Sequence, residues 1–371
     1  MLLLLVSLSG INSAGEANSL DTAIITESFD ANITTQANDT CLVWVNNEIA
    51  LFYSEYSAQK NRDIYFVQSR DGHTWSEPFT IVDSEYDEYS PSVCHVDNRT
   101  FVTFIRAEYQ QTAYPPVCTH LLLTSGVDFI NWVAPMEILN NSDSVPIAEM
   151  LWYYINDGEI FYFNNEYFLV YVLNYEGLAY SDIYLRQSND GETWCNEISI
   201  NSTPELSEIP EVSATMTEDA AIIVFSGEPD GYGYILKSQD MRNWTQPIKY
   251  GHGSSPTLIV FNNHYCIVNT AGIWLSDDLV NWTHVLNKSY EQPSAVQMDD
   301  GRIMVAYVKD GDIWIDVVDL GLGEEDNCDD CVFWAIGNFF VENALVAIPA
   351  IAVAVGTSVF VVYLLKRRRT S

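Results

Sequence analysis

The chain has 371 residues, 48% hydrophobic and 13% aromatic, which is enough for one large packed domain and excludes a disordered chain. Its formal charge is −35, from 51 acidic against 16 basic residues, and such a surface excludes a nucleic-acid partner, whose affinity would rest on Lys and Arg at phosphates. The aromatic weight of 22 Tyr, 16 Phe and 10 Trp favours strands over helices.

Residues 1–18 open on a Leu/Val run followed by small residues around Ser13-Ala14-Gly15. They read as a signal-peptide-like segment, although the basic n-region is missing. Residues 22–29 have strand character and are expected to complete the last unit of a closed ring.

The body of the chain repeats. Ser69-Arg70-Asp71-Gly72-His73-Thr74-Trp75, Ser188-Asn189-Asp190-Gly191-Glu192-Thr193-Trp194, Ser238-Gln239-Asp240-Met241-Arg242-Asn243-Trp244 and Ser276-Asp277-Asp278-Leu279-Val280-Asn281-Trp282 share Ser, Asp and Trp at fixed offsets. A degenerate copy runs from Thr124 through Asp128 to Asn131-Trp132. A β-rich segment, often entered by Pro, precedes each copy. A polar turn, a second apolar segment and a third strand then lead into it, and a short fourth strand leaves it.

The first unit spans residues 41–82. The second opens at Ser90-Pro91-Ser92-Val93, turns at Asp97-Asn98 and reaches its third strand at 118–123. The aromatic third spans 145–200. The fourth opens at Ile209-Pro210-Glu211-Val212 and the fifth at Ser255-Pro256-Thr257-Leu258. A sixth runs from Gln292-Pro293-Ser294-Ala295-Val296 to residue 318 without the motif. Six units of about forty residues, each with four short strands, predict an all-β, six-bladed β-propeller over residues 22–320.

An acidic juxtamembrane stalk follows at 321–343. Its Cys328 and Cys331 read as a local disulfide rather than half of a zinc site, which needs four ligands. Residues 344–365 carry no charge and are long enough to span a bilayer as one C-terminal transmembrane helix. The basic tail at 366–371 retains that end in the cytoplasm and puts the propeller outside the cell. Eight Asn-x-Ser/Thr sequons suit an exported glycoprotein, at Asn32, Asn38, Asn98, Asn140, Asn201, Asn243, Asn281 and Asn287.

The repeated motif resembles the Asp box, or BNR repeat, of the sialidase (neuraminidase) superfamily, over about residues 40–320. The resemblance implies a sialidase-like propeller in which Asp71, Asp190, Asp240 and Asp278 are turn residues far from any catalytic pocket. Ser69, Ser188, Ser238 and Ser276 would close the turns, and Trp75, Trp194, Trp244 and Trp282 would bury between sheets.

The resemblance further implies three arginines gripping a sugar carboxylate, and here the chain departs from the family. It has no Arg-Ile-Pro, and only Arg62, Arg106 and Arg186 remain as pocket arginines, with Arg106 the best placed. Two residues before the strand-opening prolines stand Tyr89, Glu208, Ser254 and Glu291, with Ser144 at the matching place in the third unit. Related by rotation, these would ring an acidic, hydroxylated mouth that repels sialic acid. Neutral sugar hydroxyls or a hard cation such as Ca²⁺ would suit it, although no metal cluster or cofactor motif is present. Trp152, Tyr153, Tyr154, Tyr175 and Tyr232 would either stack on sugar faces or pack blades.

The expected function is therefore a membrane-anchored extracellular propeller that recognises a ligand, carbohydrate or cell-surface protein, through Tyr89, Arg106, Trp152, Tyr175, Glu208 and Glu291. The alternative is an exo-acting glycoside hydrolase of sialidase type, with Arg106, Glu208 and Glu291 as its catalytic candidates and Glu208 with Glu291 as its carboxylate pair.

Overall fold

The computed structural model describes residues 23–322, apart from 35, 46–47, 57–60, 109–117, 128, 130, 141–152, 176–179, 201–210, 228–230 and 262–263. Among the described residues every regular element is a strand.

Strand β1 (Ile24–Asp30) comes first in the chain and is set aside by the sheet order. Blade 1 is then β2 (Ala37–Val45), β3 (Glu48–Tyr56), β4 (Arg62–Ser69) and β5 (Phe79–Val82). Blade 2 is β6 (Asp87–Val96), β7 (Arg99–Glu108), β8 (Cys118–Gly126) and β9 (Met136–Asn140). Blade 3 is β10 (Tyr153–Phe163), β11 (Glu166–Tyr175), β12 (Tyr180–Ser188) and β13 (Ile198–Ile200). Blade 4 is β14 (Val212–Met216), β15 (Ala221–Gly227), β16 (Tyr232–Ser238) and β17 (Ile248–His252). Blade 5 is β18 (Thr257–Phe261), β19 (His264–Asn269), β20 (Gly272–Ser276) and β21 (Thr283–Leu286). Blade 6 has β22 (Glu291–Gln297), β23 (Ile303–Lys309) and β24 (Asp312–Asp319), and its fourth strand is β1. The first described strand thus closes the ring, as the strand character of residues 22–29 predicts. Closure pairs an edge that would otherwise invite association.

This closure explains why the sixth unit lacks the Ser/Asp/Trp motif. In the other blades the motif is the turn from third to fourth strand. In blade 6 these two strands come from opposite ends of the described chain, so there is no turn to build.

The turns themselves share one geometry. The Asp71 Oδ1 carboxylate oxygen accepts the backbone N–H groups of His73 (2.9 Å) and Thr74 (2.7 Å), while Ser69 Oγ accepts that of Gly72 (2.8 Å). Asp190, Asp240 and Asp278 each accept the equivalent pair at 2.7–2.9 Å. These bonds hold all four carboxyls below their usual range, at about 2 for Asp278 and lower still for the other three.

The residue after the Asp takes a left-handed conformation. It is Gly72 or Gly191 in blades 1 and 3, with φ of 74° in both. A Cβ there would lie 2.3 Å from Met304 Cε in blade 6 or 2.5 Å from the Phe101 ring in blade 2. In blades 4 and 5, Met241 and Leu279 take the same conformation, and their own side chains fill the gap.

Each interface between blades has an apolar core. The turn tryptophan of each of blades 1 to 5 is half-buried against the preceding blade: Trp75, Trp132, Trp194, Trp244 and Trp282 in order. The interface of blades 5 and 6 uses Tyr290 instead, fully buried, with Tyr307 beside it.

Residues 323–371 lie outside the described residues, as do the expected stalk, the expected transmembrane helix and Cys328 and Cys331. Among the described cysteines, Cys94 and Cys266 are buried thiols, and Cys195 is exposed.

Candidate functional site

Register defines two rims. The first strands of the blades begin on an upper rim; the Ser/Asp/Trp turns lie on the lower one, where Ile49 pairs with Ser69. At the upper end of the axis is a cavity of about 180 Å³.

Each blade contributes polar side chains to it, and one from each forms the ring at the mouth. These are Asp39 (blade 1), Ser90 (blade 2), Asp157 (blade 3), Glu211 (blade 4), Ser255 (blade 5) and Gln292 (blade 6). Glu159 lies two residues further down β10 and also lines the cavity. Among the described lining residues none is Arg, Lys or His.

Backbone irregularity aims these residues at the axis. The register slips between Ala37 and Asp39, Tyr89 and Ser92, Ile155 and Asp157, and Glu291 and Ser294. Within this slip, or just before the strand, Ser90, Ser255 and Gln292 adopt positive φ of 49–52°, each directly before a proline. A side chain in this region is strained, and such strain gathers at binding sites. Because side chains alternate along a strand, one extra residue reverses which of them faces inward. In blades 2, 5 and 6 the ring residues are therefore Ser90, Ser255 and Gln292, one residue after the Tyr89, Ser254 and Glu291 that the sequence picks out.

The carboxylates also join blades. Asp157 Oδ2 accepts the Val212 N–H at 2.9 Å and Glu159 Oε2 that of Ala214 at 2.5 Å, tying blade 3 to blade 4. Asp39 Oδ2 accepts from Ser54 Oγ (2.7 Å) and from the Ser90 N–H (3.1 Å), tying blade 1 to blade 2. Ser294 Oγ in blade 6 accepts the Leu42 N–H in blade 1 at 2.7 Å.

Burial pushes the Asp157 carboxyl up to about 8, helped by the Glu211 charge. It does the same to Glu159, with Asp157 the main charged neighbour. Glu211 is pushed up to about 7 by burial and by Asp39, against stabilising hydrogen bonds from Ser255 and Gln292. With no basic side chain among the described lining residues to balance them, these groups are shifted towards the protonated form, in which a carboxyl can donate as well as accept.

The other predicted site residues lie elsewhere. Arg106 lies on the upper rim of blade 2, but its Nε donates to Glu88 Oε1 at 2.9 Å; Glu88 is fully buried and Arg106 stands over the Tyr86 ring. Arg62 stacks on Tyr89 at 4.3 Å and faces Asp87 at 3.8 Å, so Tyr89 packs against a guanidinium. Arg186 donates to the Ile138 carbonyl, at the outer side of blades 2 and 3. None of the three arginines lines the axial cavity. Glu291 is exposed and lines a different cavity. The Tyr175 hydroxyl is 3.2 Å from that of Tyr184, and Tyr232 lies against His252 and beneath Lys249. Ser144, Trp152 and Glu208 lie outside the described residues.

Of the sequon residues, Asn32, Asn98, Asn243, Asn281 and Asn287 are exposed and Asn38 is half-buried beside Asp39. Asn140 ends β9, and Asn201 lies outside the described residues. No group of His, Cys, Asp and Glu with metal-holding geometry occurs among the described residues.

No protein-family model matches the chain, and no curated protein matches it. Solved structures do. A Dyadobacter fermentans protein of unknown function is 16% identical, with a TM-score of 0.66 over 80% of this chain and 99% of that one. A Penicillium chrysogenum α-L-arabinanase complexed with arabinobiose is 13% identical, with a TM-score of 0.63 over 81% and 99%. A Trypanosoma rangeli sialidase in complex with the inhibitor DANA is 13% identical, with a TM-score of 0.57 over 76% of this chain and 55% of that one. The six-bladed propeller thus has structural neighbours in the sialidase and arabinanase group of glycoside hydrolases.

Proposed function

We propose that this propeller recognises a glycan, and that its axial mouth holds a terminal sugar without a carboxylate. One observation carries the reading. The mouth presents a polar side chain from every blade and four carboxylic groups in all, yet no basic side chain among its described residues. Hydroxyls of a neutral sugar can donate to and accept from such a ring, whereas a sialic acid carboxylate would find neither guanidinium nor ammonium among the described lining residues to grip it. The neighbours that act on sugars are consistent with a carbohydrate ligand. The four Ser/Asp/Trp turns are read as Asp boxes of the same superfamily.

Arrayed neutral and sialylated glycans test this with the full chain. Neutral termini should bind, and Glu211→Gln should weaken them on the order of tenfold, the cost of a hydrogen bond to a charged group. Preference for sialylated glycans that is lost in Glu211→Gln would overturn the reading.

Hydrolysis is the second reading, favoured by one feature. Glu211, holding its proton up to about pH 7, is poised as a general acid with Asp39 close enough to raise it further. Turnover of aryl glycosides of neutral sugars, abolished in Glu211→Gln, would establish an enzyme.

Display outside the cell on a membrane anchor is part of the proposal and rests on residues 344–371 and the sequons. A shift in gel mobility after N-glycosidase treatment, with protease shaving of intact cells releasing the propeller, is the expected result. Retention of an unglycosylated chain inside the cell would reject it.

A further inference from the structure

The upper rim of blade 6 carries a second cavity, of about 340 Å³, beside the axial mouth. Gln292 faces the axis, while its neighbour Glu291 borders this second space. Four lysines are described in this acidic chain, Lys237, Lys249, Lys288 and Lys309, and the last two both line it.

The two lysines differ in kind. Lys288 is fixed. Its ammonium donates to the fully buried Asp316 and, at 3.0 Å, to the Tyr307 hydroxyl. Tyr290 also donates to Asp316, at 3.1 Å. Lys309 is exposed, and its ammonium stands 4.2 Å from the centroid of the half-buried Trp314 indole. Glu291 and Asp310 also border the cavity, but both are exposed, where water and salt weaken their repulsion.

We propose that this cavity is a second carbohydrate subsite, selective for a sugar bearing a carboxylate. The sugar ring lies against the Trp314 indole. Its carboxylate is met by Lys309, which leaves its place over the ring, and by the remaining ammonium proton of Lys288. The volume falls in the range of small-molecule sites, roughly 300–1,000 Å³. The axial mouth and this cavity would then sort sugars by opposite electrostatics on one rim.

Saturation-transfer NMR on the full chain, with glucuronate and glucose compared in the Glu211→Gln background that weakens the axial site, tests the assignment separately from that site. Glucuronate should bind on the order of tenfold more tightly than glucose, as one charge-assisted contact requires. Lys309→Ala, at an exposed position, should remove that preference. Trp314→Phe should weaken both sugars, and Glu291→Gln should strengthen glucuronate. Glu211→Gln should leave glucuronate binding unchanged. Glucuronate bound no better than glucose, or glucuronate binding lost in Glu211→Gln but kept in Lys309→Ala, would overturn the proposal. So would no transfer to glucuronate at millimolar concentration.

Discussion

Ile24 stands opposite Asp319 in the β1–β24 ladder, so the first described strand of the chain is hydrogen-bonded to the last. The ladder continues to Asp30 opposite Trp314, and Thr26 Oγ1 donates to the Val317 carbonyl at 3.0 Å. Deleting residues 23–30 would bare the β24 edge and the apolar faces beneath Ile25 and Phe29. The expected outcome is a lower melting temperature with self-association in light scattering, restored by a peptide of the deleted sequence supplied in trans.

Gly191 tests the fit between blades. It needs its positive φ, and an added Cβ would meet the Phe101 ring at 2.5 Å. Gly191→Ala is therefore expected to destabilise by more than the ~1 kcal/mol of an unfavourable φ alone, because the Phe101 ring belongs to the adjacent sheet and cannot yield freely. Met241→Gly relieves φ in the equivalent turn but opens the core. Thermal melts should rank Gly191→Ala below wild type, and melting at the wild-type temperature would show that Phe101 can move.

Arg106 is predicted to act in stability rather than in ligand binding. Removing it leaves the Glu88 carboxyl fully buried with Ser84 Oγ as its remaining partner. Arg106→Ala is expected to cost about 3–5 kcal/mol, as for a broken buried ion pair. Burial already pushes the Glu88 carboxyl up, so the loss should be larger at pH 8 than at pH 5, where protonation relieves it. Denaturant melts at both pH values measure this. Loss of glycan binding with stability intact would instead return Arg106 to the site.

The carboxylates give stability two opposed pH dependences. The turn aspartates Asp71, Asp190, Asp240 and Asp278 have folded pKa values below the unfolded value of about 3.9. Their contribution is present above that pH and is lost as pH falls towards 2. Asp157, Glu159 and Glu211 are raised to about 8, 8 and 7, so their contribution is full below about pH 4 and is lost as pH rises through 7 to 8. Stability should therefore peak at about pH 4–5, and Glu211→Gln should flatten the alkaline arm. A maximum above pH 7 would contradict the buried state of these groups.

What the sequence determined by itself was the ring. Six units, often entered by Pro, five Trp-ending turns and an N-terminal segment of strand character leave little choice, because each four-stranded unit must cover an apolar face with its neighbours. The turn aspartates were legible for the same reason, since a local hydrogen-bonding pattern repeats with the local sequence. The site was not, because a bulge of one residue decides which side chain meets the axis, and period-two alternation carries no record of a bulge. The recurring Asn38-Asp39 and Asn156-Asp157, standing where other blades have a residue and then Pro, were the available signal for two of the mouth carboxylates. Only the tertiary structure gathered Asp39, Asp157 and Glu211 from three blades and paired Arg106 with Glu88, since burial and Coulomb contact depend on distances between segments far apart in the chain.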